Sequence, residues 1–226
     1  MTPRFNPSLM CMDLTRFREQ IEAMNAHAAF YHVDIMDGNY VKNITLSPFF
    51  IENLRKITTV PIDVHLMVSH PEEIIPLCLS AGADVISFHP ETANNKLFRL
   101  LMQIRQAGCR CGVVLNPATP ADSLREYGHL LDKVTVMAVD PGFAGQPFLP
   151  HTLDKIRQLI AMRAAHGWHY LTEIDGGCNA NNFGTIAASG VDVMIVGASG
   201  LFSLADDIGE AWRRMEANYR RETAAI

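Results

Sequence analysis

Short β-like runs alternate with longer helical patterns along the whole chain, and no other property restricts the fold so tightly. The β-like runs cover residues 4–10, 29–36, 62–68, 84–89, 109–115, 133–139, 168–174 and 192–196. Helical patterns fill the gaps at 14–26, from Ser47-Pro48 onward, and at 71–81, 94–107, 120–130, 150–166 and 179–189; an eighth opens at Ser203. Asp13 is placed to cap the first helix, and Pro48 takes a first-turn position. Gly82, Gly108, Gly167 and Gly190 follow helix ends, where a residue free to adopt positive φ is favoured. Strands alternating with helices imply parallel pairing and right-handed crossovers. Eight such units predict a closed (β/α)8 TIM barrel, a single domain over residues 1–226. A doubly wound open sheet would carry a glycine-rich turn after its first strand, where this chain has Met10-Cys11-Met12. Residues 220–226 read as a frayed end.

Composition narrows the partners. Hydrophobic residues make up 48% and charged residues 19%, as in a compact protein with a large core. A formal charge of -5 provides no basic field for nucleic acid or anionic membrane. No apolar run reaches the roughly 18 residues of a membrane-spanning helix, and MTPRFNPSLM lacks the apolar region of a secretory signal. The five cysteines are odd in number and lack zinc-ribbon spacing, which predicts reduced thiols in a cytoplasmic protein.

Polar residues recur at the carboxyl ends of the β-like runs, where a (β/α)8 barrel carries its active site. They are Ser8, His32, Asp34, Asp37, His65, His89, Asn116, Asp140 and Asp175. In YHVDIMDG, His32 and Asp34 are two residues apart and share one strand face. A polar pair in an apolar layer either satisfies itself by hydrogen bonding or binds something. With His65 and Asp175, which end apolar strands leading inward, it offers two imidazoles and two carboxylates. That set suits one divalent ion of the Zn, Mn, Co or Fe type. Asp37, before Gly38, reads as a turn cap or a support for a ligand. His89 is either a pocket wall or a satisfied strand-end histidine, and the other six histidines read as surface residues.

Glycine-rich turns follow the last three strands: Gly142-Phe143-Ala144-Gly145, Gly176-Gly177 and Gly197-Ala198-Ser199. Such turns let backbone N–H groups approach an anion, and barrels often hold phosphate in the loops after strands seven and eight. They are otherwise simply tight connections. No Walker sequence points to a nucleoside triphosphate. Met36, Met67 and Met137 are either core filler or a soft apolar floor beneath the site. A metal, two carboxylates on separate strands and a phosphate sink suit proton transfer at a carbon beside a ketone. The metal would stabilise an enediolate while Asp34 and Asp175 remove and return the proton on opposite faces.

These residues bring a family into view. The chain resembles the ribulose-phosphate 3-epimerases over nearly its full length. The resemblance is carried by NPSL at 6–9, HVDIMDG at 32–38, DVHLMV at 63–68, NPATP at 116–120, VMAVDPGFAGQPF at 136–148, IDGGCN at 174–179 and the turn starting at Gly197. It implies metal binding by His32, Asp34, His65 and Asp175, with Asp34 and Asp175 as the acid/base pair. It also implies Ser8 and His65 on the substrate and the backbone of Gly142–Gly145, Gly176-Gly177 and Gly197–Ser199 around the phosphate. Relatives commonly assemble, which implies a homo-oligomer acting on a small sugar phosphate.

The chain departs from the ribulose 5-phosphate pattern at NITLSPFF (43–50), HPET (89–92), Ala144 and GASGLF (197–202). With SLMCMDL at 8–14, these resemble the D-allulose-6-phosphate 3-epimerase branch. The sequence expectation is therefore interconversion of D-allulose 6-phosphate and D-fructose 6-phosphate, with epimerisation of ribulose 5-phosphate to xylulose 5-phosphate as the alternative. A barrel lyase or synthase and a non-catalytic sugar-phosphate binder are the competing classes.

Overall fold

The computed structural model describes residues 4–224. Nine strands form one curled sheet: β1 (Arg4–Pro7), β2 (Tyr31–Asp37), β3 (Ile44–Thr45), β4 (Ile62–Met67), β5 (Val85–Phe88), β6 (Arg110–Leu115), β7 (Lys133–Met137), β8 (Leu171–Asp175) and β9 (Val193–Val196). All pair in parallel around the ring except β3, a two-residue strand lying antiparallel against the end of β2. The ring closes between β1 and β2 through a parallel bridge from Ser8 to His32, next to a bond from the Ala29 N–H to the Phe5 carbonyl at 3.3 Å. The result is the (β/α)8 barrel expected from the alternation. The helices around it are α1 (Phe17–Met24), α2 (Pro48–Arg55), α3 (Pro71–Ala81), α4 (Pro90–Ala93), α5 (Leu97–Gln106), α6 (Thr152–His166), α7 (Phe183–Ala187) and α8 (Ile208–Thr223). No helix among the described residues is long and apolar enough to cross a membrane.

The two-residue period of a strand divides the buried residues into two populations. One set points outward: Val33, Ile35, Val64, Leu66, Ile86, Phe88, Val113, Leu115, Val134 and Val136. These join Ile21, Ile51, Leu54, Ile75, Leu101, Ile104, Ile156 and Leu159 of the helices in one continuous apolar core. Each such side chain contributes about 1.5–3 kcal/mol on burial. The alternate positions face the barrel interior and are largely polar: Asn6, Ser8, His32, Asp34, Asp63, His65, Ser87, Lys133, Thr135 and Glu173, all buried.

Most helix termini follow the expected punctuation. Asp13 accepts from the Thr15 N–H at 2.9 Å, though it caps a 3-10 turn over Leu14–Arg16 that precedes α1, and α3 and α6 end at Gly82 and Gly167, both left-handed. Three segments differ. Residues 120–130 form two short 3-10 turns, Ala121–Leu124 and Gly128–Leu130, in place of an α-helix. Gly128 weakens any helix there, and the Trp168 ring occupies the space that a Cβ at 128 would need. Ser203 does not start the last helix. Residues after Gly197 form a single π turn, Ala198–Phe202, and α8 begins after Asp207, whose side chain accepts from the Glu210 N–H at 2.7 Å. An Asp three residues before a Glu is a better N-terminal signal than Ser203. Finally, α8 continues through Thr223 where fraying was expected, with Arg220 paired to Glu216 at 3.0 Å; residues 225 and 226 lie outside the described residues.

The Gly128 contact is testable. A Cβ there would lie 2.3 Å from Trp168 Cζ3, and that ring is itself stacked on His166. Gly128→Ala should destabilise the protein by about 1–3 kcal/mol, as overpacking does. Urea denaturation followed by Trp fluorescence measures the change, and an unaltered midpoint would contradict the packing.

Candidate active site

The interior positions at the carboxyl ends of β2, β4 and β8 converge on one point. His32 and Asp34 come from β2, His65 from β4 and Asp175 from β8. Register places Asp34 beside His65 on adjacent strands, while β1 and β9 separate β2 from β8. The side chains nevertheless meet across the interior. His32 Nε2 lies 3.3 Å from Asp34 Oδ1 and 3.8 Å from Asp175 Oδ2. His65 Nδ1 lies 3.2 Å and 3.7 Å from the same two oxygens. One ligand atom from each of the four residues falls within 4.8 Å of all the others. His32 Nε2 is buried and has no hydrogen-bond partner among the described residues, and an orphaned imidazole nitrogen facing two carboxylates is what a metal site requires. The four side chains thus fit a divalent ion in number, type and spacing.

The two carboxylates differ in surroundings. Ser8 Oγ donates to Asp34 Oδ2 at 2.7 Å, and Thr45 Oγ1 donates to the Asp34 carbonyl at 2.7 Å, so β3 braces the end of β2. Asp34 is almost fully buried, whereas the Asp175 side chain keeps 18% of its surface. Burial opposes ionisation of Asp34, but the charges and hydrogen bonds of His32 and His65 outweigh it and hold this carboxyl well below the usual range. Burial and the Asp34 charge push Asp175 up to about 6, against the pull of His32 and His65. Two carboxyl groups with separated protonation behaviour are the usual basis for acid and base roles.

Beneath this cluster lies a polar layer that sequence reasoning missed. His32 Nδ1 is 3.1 Å from Asp63 Oδ2. Lys133 Nζ donates to Asp63 at 2.7 and 2.5 Å and to Glu173 Oε1 at 2.6 Å. Glu173 also accepts from Thr135 Oγ1 at 2.7 Å and Asn6 Nδ2 at 2.8 Å. The signal was present: Asn6/Ser8, Asp63/His65, Lys133/Thr135 and Glu173/Asp175 repeat the two-residue spacing of His32/Asp34. His89 is completely buried, with Nε2 3.0 Å from His65 Nε2, so it backs an imidazole of the cluster. Asp37 is a support, accepting from the backbone N–H groups of Asn39, Tyr40 and Ser69 at 2.8, 2.9 and 2.8 Å and so tying together the loops after β2 and β4. The six histidines read as surface residues are all exposed.

A cavity of about 470 Å³ opens above Asp34 and Asp175. Its lining includes Ser8, Met36, Met67, Met137 and all three glycine-rich turns from Gly142–Gly145, Gly176-Gly177 and Gly197–Ser199. His65 is buried beneath it with no exposed surface. Met10, which the sequence reading did not include, lines the cavity with these three methionines. Gly176 has φ +109°, and a Cβ there would sit 2.8 Å from Val139 Cγ2, so only glycine fits this turn. Asn182 Nδ2 donates to the Gly177 carbonyl at 2.8 Å, and Asn179 Nδ2 to Ser199 Oγ at 3.0 Å, which braces the turns. Among the described residues no Lys or Arg lines the cavity. An anion at this end would therefore meet backbone dipoles.

Comparison with known proteins agrees with the geometry. The model of the ribulose-phosphate 3 epimerase family matches residues 4–202. A ribulose-phosphate 3-epimerase of Escherichia coli is 42% identical over 195 residues, covering 85% of this chain and 86% of that protein. Ribulose-phosphate 3-epimerase 2 of Cupriavidus necator is 43% identical over 201 residues, covering 87% and 83%. The chloroplastic ribulose-5-phosphate-3-epimerase of Arabidopsis thaliana is 36% identical over 98% of this chain and 79% of its own length. Among solved structures, a mutant tryptophan synthase alpha-subunit from Pyrococcus furiosus superposes with a TM-score of 0.69 at 12% identity, over 99% of this chain and 98% of that one, a likeness of fold alone.

The electrostatics make a prediction that needs no substrate. Asp175, with its folded pKa raised to about 6 from an ordinary value of 3.8, favours folding when protonated. That contribution is complete below about pH 4 and is lost as pH rises through 6. Asp175→Asn should therefore raise the Tm of metal-free protein at pH 8, and the gain should vanish near pH 4. Thermal denaturation across that range measures it, and a Tm lowered at pH 8 would contradict the assignment.

Proposed function

Because the chain belongs to the ribulose-phosphate 3-epimerase family, we propose that it epimerises a ketose phosphate at C3, with Asp34 and Asp175 as the proton-transferring groups. The observation that carries this reading is the convergence of both carboxylates with His32 and His65 at a cavity whose lining includes three glycine-rich turns. His32, Asp34, His65 and Asp175 would hold one divalent ion of the Zn, Mn, Co or Fe type. Such an ion would act as a Lewis acid, offsetting the negative charge that develops when C3 loses its proton.

The protein's own groups do the rest. Backbone N–H groups of Gly142–Gly145, Gly176-Gly177 and Gly197–Ser199, with Phe143, Ala144 and Ala198 at their centres, receive the phosphate. They fix the distance from that anchor to the carboxylates, so only one carbon reaches them. One carboxylate removes the C3 proton, and the other delivers a proton to the opposite face. Their roles exchange in the reverse direction. Ser8 keeps Asp34 oriented through its 2.7 Å bond. Met36, Met67 and Met137 keep water from the reacting carbons, which prevents premature protonation.

The relatives named above support ribulose 5-phosphate as the substrate better than the hexulose phosphate expected from sequence. The hexulose reading keeps specific support in NITLSPFF at 43–50, HPET at 89–92, Ala144 and GASGLF at 197–202. Measurement of kcat/KM on D-ribulose 5-phosphate and D-allulose 6-phosphate decides between them, with the larger value identifying the substrate. In D2O, the C3 hydrogen of either substrate should exchange without carbon–carbon cleavage, and cleavage products would instead indicate a lyase. Asp34→Asn and Asp175→Asn should each lower kcat by about 10²–10⁴. Unchanged turnover in both would refute the acid/base assignment.

A further inference from the structure

We propose that Asp63, held by Lys133, is a positioning residue that fixes the tautomer of His32 so that Nε2 presents a lone pair to a metal ion. The inference rests on the reading of His32, Asp34, His65 and Asp175 as the ligand set. Asp63 itself does not line the cavity above that set and reaches it only through His32.

The argument is one of donors and acceptors. Both Asp63 oxygens accept from the Lys133 ammonium, at 2.7 and 2.5 Å. A carboxylate so engaged is an acceptor and has no proton to give. His32 Nδ1, 3.1 Å from Asp63 Oδ2, must then carry the hydrogen in that contact. In a neutral imidazole the other nitrogen is left with its lone pair. That nitrogen is the one buried without a partner and facing Asp34 and Asp175. Asp34 Oδ1 and Asp175 Oδ2 lie 3.3 and 3.8 Å from Nε2, so a bound divalent ion must take the place of any hydrogen there, and Asp63 is what keeps the remaining hydrogen on Nδ1.

Lys133 makes the arrangement rigid. It also bonds Glu173 at 2.6 Å, two residues before Asp175 on β8. Asp63 and Glu173 thus share one ammonium, and strands β4, β7 and β8 are joined beneath the ligands. His32, Asp63 and Glu173 also satisfy the spacing of a cation site. The Lys133 ammonium already fills that role, so the lower cluster is a support and not a second metal centre.

Asp63→Asn tests the proposal. An amide keeps the shape of the carboxylate but offers an N–H as readily as a carbonyl, so it no longer dictates the tautomer. Zinc affinity, measured by competition with a chromophoric chelator, should fall 10–100-fold relative to the wild type. Asp63→Glu retains the acceptor and should recover part of that loss. An Asp63→Asn protein that binds zinc within twofold of the wild type overturns the proposal but not the ligand set. A wild type that binds no zinc overturns the ligand set and the proposal with it. The zinc-loaded wild type gives an independent reading that no folding defect can obscure. Its assigned His32 ¹⁵N resonances should show hydrogen on Nδ1, and hydrogen on Nε2 would overturn the proposal.

Discussion

Two carboxylates share a single ammonium group inside this barrel, and the geometry above it depends on that pairing. Lys133 Nζ lies within 2.7 Å of Asp63 and Glu173. Burial alone would discharge Lys133 and Asp63, but their mutual attraction keeps Lys133 charged and Asp63 well below the usual carboxylate range. Such a cluster is a poor device for stability alone. Well-packed apolar residues serve as well, whereas breaking a buried pair costs about 3–5 kcal/mol. What the charges provide is direction. They fix which atoms of the next layer carry hydrogens, and the layer above inherits that order.

Stability and chemistry are divided by the wall of the barrel. Along β2, Val33 and Ile35 face the helices and join the main apolar core, while His32 and Asp34 face inward. The same partition holds on β4, with Val64 and Leu66 outside and Asp63 and His65 inside. A strand can serve both masters because its period is two residues. Substitutions inside the ring can therefore alter the site while the apolar contacts to the helices stay in place.

That partition also explains what could be read from the chain. The eight strand positions and the barrel followed from alternating patterns, and four converging side chains followed from residue type at strand ends. Pro120–Leu130 did not follow, because a tertiary contact between Gly128 and Trp168 decides its shape. Asp63, Lys133 and Glu173 were overlooked for a different reason. Their spacing to His65, Thr135 and Asp175 showed which face they share, but a sequence does not state which residues meet across an interior. Asp63 and Lys133 are 70 positions apart and come from strands that are not neighbours. The closure of the ring at Ser8 and His32 is what makes them partners.

The asymmetry between Asp34 and Asp175 is the consequence that matters most for the proposed reaction. An epimerase must remove a proton from one face and deliver one to the other, so one carboxyl must be charged while the other carries a proton. Ser8, His32 and His65 surround Asp34 and favour its charge. Asp175 has no side-chain hydrogen bond among the described residues, and burial together with the Asp34 charge pushes its carboxyl up to about 6. The chain achieves this with two residues of the same type, by placing one against the closing bridge of the barrel and the other nearer the cavity mouth. Reversal of the reaction then requires only that a proton change sides.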